Sequence, residues 1–166
     1  IPNIYLLHGD FTDEEMNSLY NHPKVKAMIS FTKGEGFGRP LLEFGITGKP
    51  IIASNWSGHT DFLNSNNCVL LPGQLTQIHA SAADKFLTKG TSWFTVDYGY
   101  AANVLQDVVS NYKNYLKSSR KQMQYIKDNF TRAKMEEKFN SIIEDKLKEV
   151  PQQMDIKLPT LKKIKT

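Results

Sequence analysis

Cysteine is almost absent from this sequence, and the single residue Cys68 excludes a disulfide within the chain. The apolar run Val69 to Leu71 follows it, which favours a small buried side chain over a nucleophile or a metal ligand. No apolar run approaches the roughly 20 residues that span a bilayer, and the start lacks the pattern of a secretory signal peptide. We therefore expect a cytoplasmic protein.

Two further absences limit the chemistry. The sequence contains no Asp-x-Asp triplet of the kind that holds a divalent ion on a diphosphate, so we predict no metal requirement. It also lacks a stretch that interleaves basic and aromatic residues, so we expect no nucleic-acid partner. The net charge of +4 comes largely from lysines in a tail over 151–166, which is either solvated or a peripheral contact to an anionic membrane surface.

Continuous apolar runs alternate with short helical patterns along the first half of the chain. Such runs are typical of parallel strands buried on both faces, whereas half-exposed strands alternate apolar with polar residues. We therefore predict an α/β fold, in which a Rossmann-like parallel sheet is flanked by helices. The predicted strands cover 4–7, 25–31, 50–53 and 67–71, and the predicted helices cover 13–21 and 40–47.

The second half of the chain is mainly helical. Apolar residues three and four positions apart predict helices over 98–116, 118–130 and 132–148, whereas 73–97 has no clear pattern. We predict a Rossmann-like region over 1–97, C-terminal helices over 98–150 that pack on the same domain, and the basic tail 151–166. Because the first predicted strand follows Ile1 almost at once, we expect that the domain is truncated at its N-terminus.

The passage TKGEGFGRPLLE, from Thr32 to Glu43, predicts a binding loop. Its three glycines let the main chain approach a ligand closely, and Pro40 suits the first position of a helix whose free amides would attract phosphate. Glu35 lies in the bend and Glu43 on the first turn of that helix. The two carboxylates could be on the order of 10 Å apart, which is enough to bracket a diphosphate.

These features resemble the C-terminal, donor-nucleotide-binding domain of the retaining GT-B glycosyltransferases, the group 1 or family-4-like enzymes. The resemblance covers residues 3–72 well and the later helices more loosely. It is carried by the segments 9–12, 35–38, 42–43 and 48–55 and by Gly58, and its most specific element is Glu35 followed by Glu43 after seven intervening residues.

The resemblance implies a role for each site residue. Glu35 would be the catalytic-site residue that holds hydroxyls of the donor sugar, and Glu43 would accept hydrogen bonds from the ribose. The remaining donor-binding residues would be Phe11 and Asp13 beside the base, and Gly36, Phe37, Gly38, Arg39 and Leu41 beside the sugar and diphosphate. The donor would be a nucleotide-diphosphate sugar, with UDP or GDP favoured, and no further cofactor is expected.

Each assignment has a structural alternative. Glu43 could only complement the helix dipole, and Glu35 and Arg39 could be solvent-facing charges. The histidines His8 and His59 are more often structural when they lack a partnered carboxylate. For Lys33, the functional and the structural interpretations have equal support.

The chain is thus predicted to be the donor half of an enzyme that transfers a sugar to an acceptor hydroxyl with retention of configuration. The acceptor, a glycan, a lipid or a protein, would be bound by an N-terminal domain that this chain lacks, so the isolated chain should turn over little. The alternatives are a nucleotide-sugar epimerase or a phosphorylase on the same fold, and a non-catalytic module that binds a partner through its C-terminal helices.

Overall fold

The computed structural model describes residues 2–148, and within them the fold is α/β with a small parallel sheet and five helices. The parallel sheet has the order β1-β2-β3, and β4 and β5 form a separate antiparallel pair. The strands are β1 Met28–Ser30, β2 Ile51–Ser54, β3 Val69–Leu71, β4 Gly73–Gln77 and β5 Ser92–Val96. The helices are α1 Asp13–Asn21, α2 Arg39–Gly45, α3 Tyr98–Ser110, α4 Tyr112–Asn129 and α5 Arg132–Leu147.

The middle strand β2 is buried along its whole length, as its continuous apolar run predicts. It pairs in parallel with β1, where Ile29 faces Ile52, and with β3, where Ile52 faces Val69. Ile52 and Leu71 belong to a buried cluster that β5 and α3 complete with Phe94, Val96, Ala101 and Val108. The predicted parallel sheet is therefore confirmed, with three strands.

The predicted strand over 4–7 is wrong. Ile4, Tyr5, Leu6 and Leu7 belong to no strand and are exposed, at 63% or more of their accessible surface. They form no ladder with another described strand, and β-propensity alone cannot hold a strand without a partner.

The segment 73–97 is more regular than its sequence indicates. β4 and β5 pair in antiparallel register, with Leu75 opposite Phe94 and Thr76 opposite Trp93. Gly73 is required at the first pair because a methyl group there would overlap the carbonyl oxygen of Thr95. Lys89 and Gly90 lie in the connection between the two strands.

The predicted helix over 98–116 is interrupted at Asn111, which separates α3 from α4. Its main-chain amide donates to the carbonyl oxygen of Asp107, and its side-chain amide donates to the Asp107 carboxylate at 2.6 Å. The apolar stripe continues across this break, so periodicity alone could not reveal it. Thr131 caps α5, because its side chain accepts the amide of Lys134.

The chain divides after Asn129 into two compact units. The first unit contains the sheet and α1 to α4. Helix α4 packs tightly on α2, because Gly45 of α2 has no room for a side chain beside Ile126. Gln122, which is fully buried, donates to the carbonyl oxygen of Phe62 and accepts the amide of Asn64. The second unit contributes α5 to the described residues, and the basic tail 151–166 lies outside them.

Candidate functional site

Two loops meet at the carboxyl edge of the parallel sheet, one after β1 and one after β2. The amide of Glu35 donates to Ser57 Oγ at 2.7 Å, and the amide of Gly58 donates to the carbonyl oxygen of Glu35 at 3.1 Å. A methyl group on Gly58 would overlap the carbonyl oxygen of Gly36. The predicted glycine loop is therefore fixed by close main-chain contact with its neighbour, while a side chain added at Gly36 itself would meet open space.

Ser57 is held in an unusual backbone conformation. Among residues 2–148 it is the only non-glycine residue with a positive φ, 71°. A left-handed conformation is costly for a residue with a side chain and persists where surrounding contacts enforce it. Here those contacts include the hydrogen bond to the amide of Glu35, so the strain lies directly beside the candidate loop.

His59 contacts the end of β2 at the same edge of the sheet. Its ring is fully buried, and its Nε2 lies 2.6 Å from the carbonyl oxygen of Ser54, to which it donates. Gly38, at φ 86°, packs so closely on this histidine that a Cβ would come within 2.8 Å of the His59 Cβ. The geometry supports the structural interpretation of His59, because its ring is fully buried and its Nε2 donates to the main chain.

A cleft of about 310 Å³ opens between α1 and α2 and brings together three of the predicted donor-binding residues, Asp13, Arg39 and Glu43. Its walls contain both charged and apolar side chains, as small-molecule sites commonly do. The full lining consists of Asp13, Met16, Asn17, Tyr20, Asn21, Arg39, Glu43, Ile46 and Thr47. Glu35 is not among these residues.

Arg39 and Glu43 form an ion pair in the wall of this cleft. Arg39 Nε donates to Glu43 Oε1 at 2.5 Å, and the side chains are 77% and 41% exposed. The hydrogen bond to Glu43, followed by its charge, raises the pKa of Arg39. Because an exposed pair of this kind contributes little to stability, a ligand can rearrange it at small cost.

Tyr20 is a cleft residue that sequence reasoning missed. Its ring packs edge-to-face on Phe44, with 5.5 Å between the ring centres. Partial burial, followed by the charge of Glu43, raises the pKa of Tyr20, so its hydroxyl stays protonated and can donate to a ligand. The available signal was helical spacing, because Asp13, Asn17 and Tyr20 recur on one face of α1.

The end of α1 is tied to the chain that follows α2. Lys49 Nζ donates to the carbonyl oxygens of Tyr20 at 2.6 Å and of His22 at 2.8 Å. A lysine that satisfies the last carbonyls of a helix also complements its dipole. The width of the cleft between α1 and α2 is therefore set partly by this side chain.

The start of α2 differs from the prediction in two details. The helix begins at Arg39 rather than Pro40, and Glu43 is its fifth residue rather than a first-turn residue. The amides of Leu41 and Leu42 donate to the carbonyl oxygen of Gly38 at 3.0 and 3.2 Å, so neither is open to a ligand. Among the described residues, the amides of Gly36, Gly38 and Arg39 have no such partner, and they are the ones left for an anion.

Phe11 and Asp13, both expected beside the base, lie in different clefts. Phe11 is 44% exposed and lines a groove of about 380 Å³ on another side of α1 with Leu7 and Leu19. Phe37, in the glycine loop, is also partly exposed, and its ring centre lies 5.1 Å from that of Phe62.

Other features of the described residues bear on chemistry. Burial raises the pKa of Cys68 to about 12, which confirms its interpretation as a buried apolar side chain. Residues 2–148 contain no group of three or more His, Cys, Asp or Glu side chains that could hold a metal ion. The same residues include no helix with the length and apolar character needed to cross a membrane.

Comparison with known proteins leaves the family of this chain open. No model of a known protein family matches it, and no curated protein matches it. The functional argument therefore depends on the residues and their geometry.

Proposed function

We propose that this chain is the donor-nucleotide-binding part of a retaining glycosyltransferase with the GT-B fold. The parent enzyme would transfer a sugar from a nucleotide diphosphate, with UDP or GDP favoured, to an acceptor hydroxyl. The acceptor would be bound by a second domain. Support comes from the passage Thr32 to Glu43 and from the geometry around it.

The observation that carries this proposal is the close contact between the glycine loop and the loop that contains Ser57 and Gly58. In open parallel α/β sheets, ligands bind outside the carboxyl ends of the strands, where such loops meet. Here two hydrogen bonds fix the Glu35 backbone, one to the hydroxyl of Ser57 and one from the amide of Gly58, and Gly58 has no space for a side chain. A loop held this tightly can present amides to a ligand without being ordered by it.

The proposed chemistry uses charge rather than a covalent intermediate on this half of the enzyme. Glu35 would hold sugar hydroxyls near the reacting carbon, and Glu43 would accept from the ribose. Glu43 Oε1 is engaged by Arg39, whereas Oε2 has no hydrogen-bond partner among the described residues. The amides of Gly36, Gly38 and Arg39 would stabilise negative charge on the leaving diphosphate.

Titration of the 166-residue chain by protein NMR with UDP, GDP, ADP and their sugar derivatives tests the donor site. Saturable shifts should centre on residues 34–43, and Glu43→Ala should weaken binding of the preferred nucleotide by about tenfold. Glu35→Ala should instead remove the extra affinity of the sugar nucleotide over the nucleoside diphosphate.

A matched control is available in α5. Glu136 forms the same type of i, i+4 pair, with Arg132 Nε at 2.7 Å, and it does not line the cleft. Glu136→Ala should therefore leave binding unchanged. Equal losses in the two variants, or no shifts from a folded sample at millimolar nucleotide, would count against the donor site.

Assays of the parent protein separate the alternative functions. Product formation without an acceptor would identify an epimerase, and a requirement for inorganic phosphate would identify a phosphorylase. Partner binding without any nucleotide binding would identify a non-catalytic module.

A further inference from the structure

Lys33 lies in the glycine loop, two residues before Glu35, and both ends of this residue contact β5. Its carbonyl oxygen accepts the amide of Phe94 at 3.3 Å, and its Nζ donates to Thr95 Oγ1 at 3.2 Å. The same Nζ lies 5.2 Å from the ring centre of Trp93. The ammonium group is therefore held at the carboxyl edge of the sheet, next to the candidate loop.

No carboxylate among the described residues pairs with Lys33. Within residues 2–148, its side-chain contacts are a hydroxyl and an aromatic ring. Other lysines are paired differently: Lys134 contacts Glu137, and Lys148 contacts Asp145. An ammonium group has three donors, so Lys33 keeps capacity for a further acceptor, and a neutral setting leaves its full charge available.

The hydroxyl that holds Lys33 is itself fixed. Thr95 Oγ1 lies 2.7 Å from Thr76 Oγ1 across the β4–β5 pair. The partly buried ammonium group is therefore ordered in the absence of a ligand. Binding a ligand would then cost little of the entropy of this long side chain. An ordered cation in the same loop as amides that have no main-chain acceptor has the features of an anion site.

We infer that Lys33 binds phosphate oxygens of the nucleotide diphosphate at this edge. The inference rests on the proposed function for the identity of the ligand, although the anion-binding chemistry is independent of the base and the sugar. Lys33 would add a full positive charge to the partial charges of the loop amides, where charge accumulates on the leaving diphosphate.

The test compares UDP and GDP with the matching nucleosides, uridine and guanosine, and with inorganic pyrophosphate. Lys33→Met keeps an unbranched apolar side chain, one atom shorter, but removes the charge, and it should weaken diphosphate binding about tenfold. Nucleoside binding should not change. Lys33→Arg should restore most of the diphosphate affinity, and raised salt should reduce the difference between the parent and Lys33→Met.

Lys85 provides the matched control, because its Nζ lies 4.9 Å from the ring centre of Phe86. Lys85→Met removes a charge from the same kind of ring contact away from the loop, and it should leave all five ligands unaffected. Unfolding of each variant by urea shows whether the fold is intact. Equal losses for diphosphates and nucleosides in Lys33→Met would indicate a purely structural role and overturn the inference.

Two further outcomes separate this inference from the proposed function. If pyrophosphate binds in a Lys33-dependent way but no nucleotide is preferred over it, the anion site stands and the donor function fails. If nucleotide binding depends on Glu43 but not on Lys33, the donor function stands and the anion site fails. Absence of both UDP and pyrophosphate binding at millimolar concentration also overturns the inference.

Discussion

Helices α2 and α5 carry the same Arg–Glu pair at the same i, i+4 spacing, yet they are stabilised in different ways. The seven-residue α2 buries Leu41, Phe44 and Gly45, whereas the sixteen-residue α5 has no buried residue. Seven residues are too few for a stable isolated helix, so α2 depends on packing. α5 is supported by its cap and by side-chain pairs along its surface.

The comparison shows that an ion pair does not identify a site. Arg39–Glu43 and Arg132–Glu136 have the same atoms in contact, at 2.5 and 2.7 Å. Only the first pair lines the cleft between α1 and α2, where Tyr20 supplies a further donor. The surroundings of the pair, not its geometry, make Glu43 the candidate ligand contact.

The largest expected difference between the two helices concerns their phenylalanines. Phe44 is 1% exposed, so Phe44→Ala should lower the free energy of unfolding by about 3–5 kcal/mol. Phe139 is 63% exposed, and Phe139→Ala should change it by about 0.5 kcal/mol or less. Urea unfolding followed by tryptophan fluorescence measures the first, because Trp56 and Trp93 lie in the first unit, and circular dichroism at 222 nm measures the second. Comparable losses would mean that the Phe139 ring is covered in solution and would break the comparison.

A smaller effect is expected at the helix cap of α5. Thr131→Ala removes the acceptor for the Lys134 amide and should cost about 1 kcal/mol of local helix stability. Amide hydrogen exchange across α5 should then become about fivefold faster, with no change in the strands of the parallel sheet. Thr131→Ser, which keeps the hydroxyl, is the control. Exchange that accelerates equally in β2 would show that the two units unfold together.

The smallest effect is expected at the exposed ion pair of α5. Glu136→Gln should reduce the stability of the helix by about 0.5 kcal/mol or less, and the difference from the parent should disappear in 1 M salt. Circular dichroism at 222 nm during thermal unfolding, recorded at low and high salt, measures it. A loss that persists at high salt would mean that Glu136 contributes through packing rather than charge.

Local patterns predicted the parts of the fold whose interactions are themselves local. The predicted helix over 13–21 is present as α1, and the predicted apolar strand over 50–53 corresponds to the buried central strand β2. The break at Asn111 could not be found, because the apolar stripe of α3 continues into α4. The sequence also could not reveal that residues 4–7 form no strand, since an apolar run forms a strand only where a partner strand is present.

For the candidate site, the sequence indicated which loop and glutamates to consider, but not which residues contact them. The loop and its two glutamates were identified from glycine content and spacing. What was missing is contact information: Ser57 as the acceptor of the Glu35 amide is 22 positions away in the chain, and Tyr20 depends on how α1 faces α2. The role of His59 as a buried donor to Ser54 likewise follows from burial, which no single residue type reveals.

The contact of Gln122 with Phe62 has a consequence for the order of events during synthesis. These residues are 60 positions apart, so at the usual pace of translation Phe62 is made about 3–12 s before Gln122. Until α4 has been made, the carbonyl of Phe62 and the amide of Asn64 must be satisfied by water, and Gly45 faces no helix. A nascent chain that pauses before Gln122 therefore leaves uncovered the side of α2 that contains Gly45.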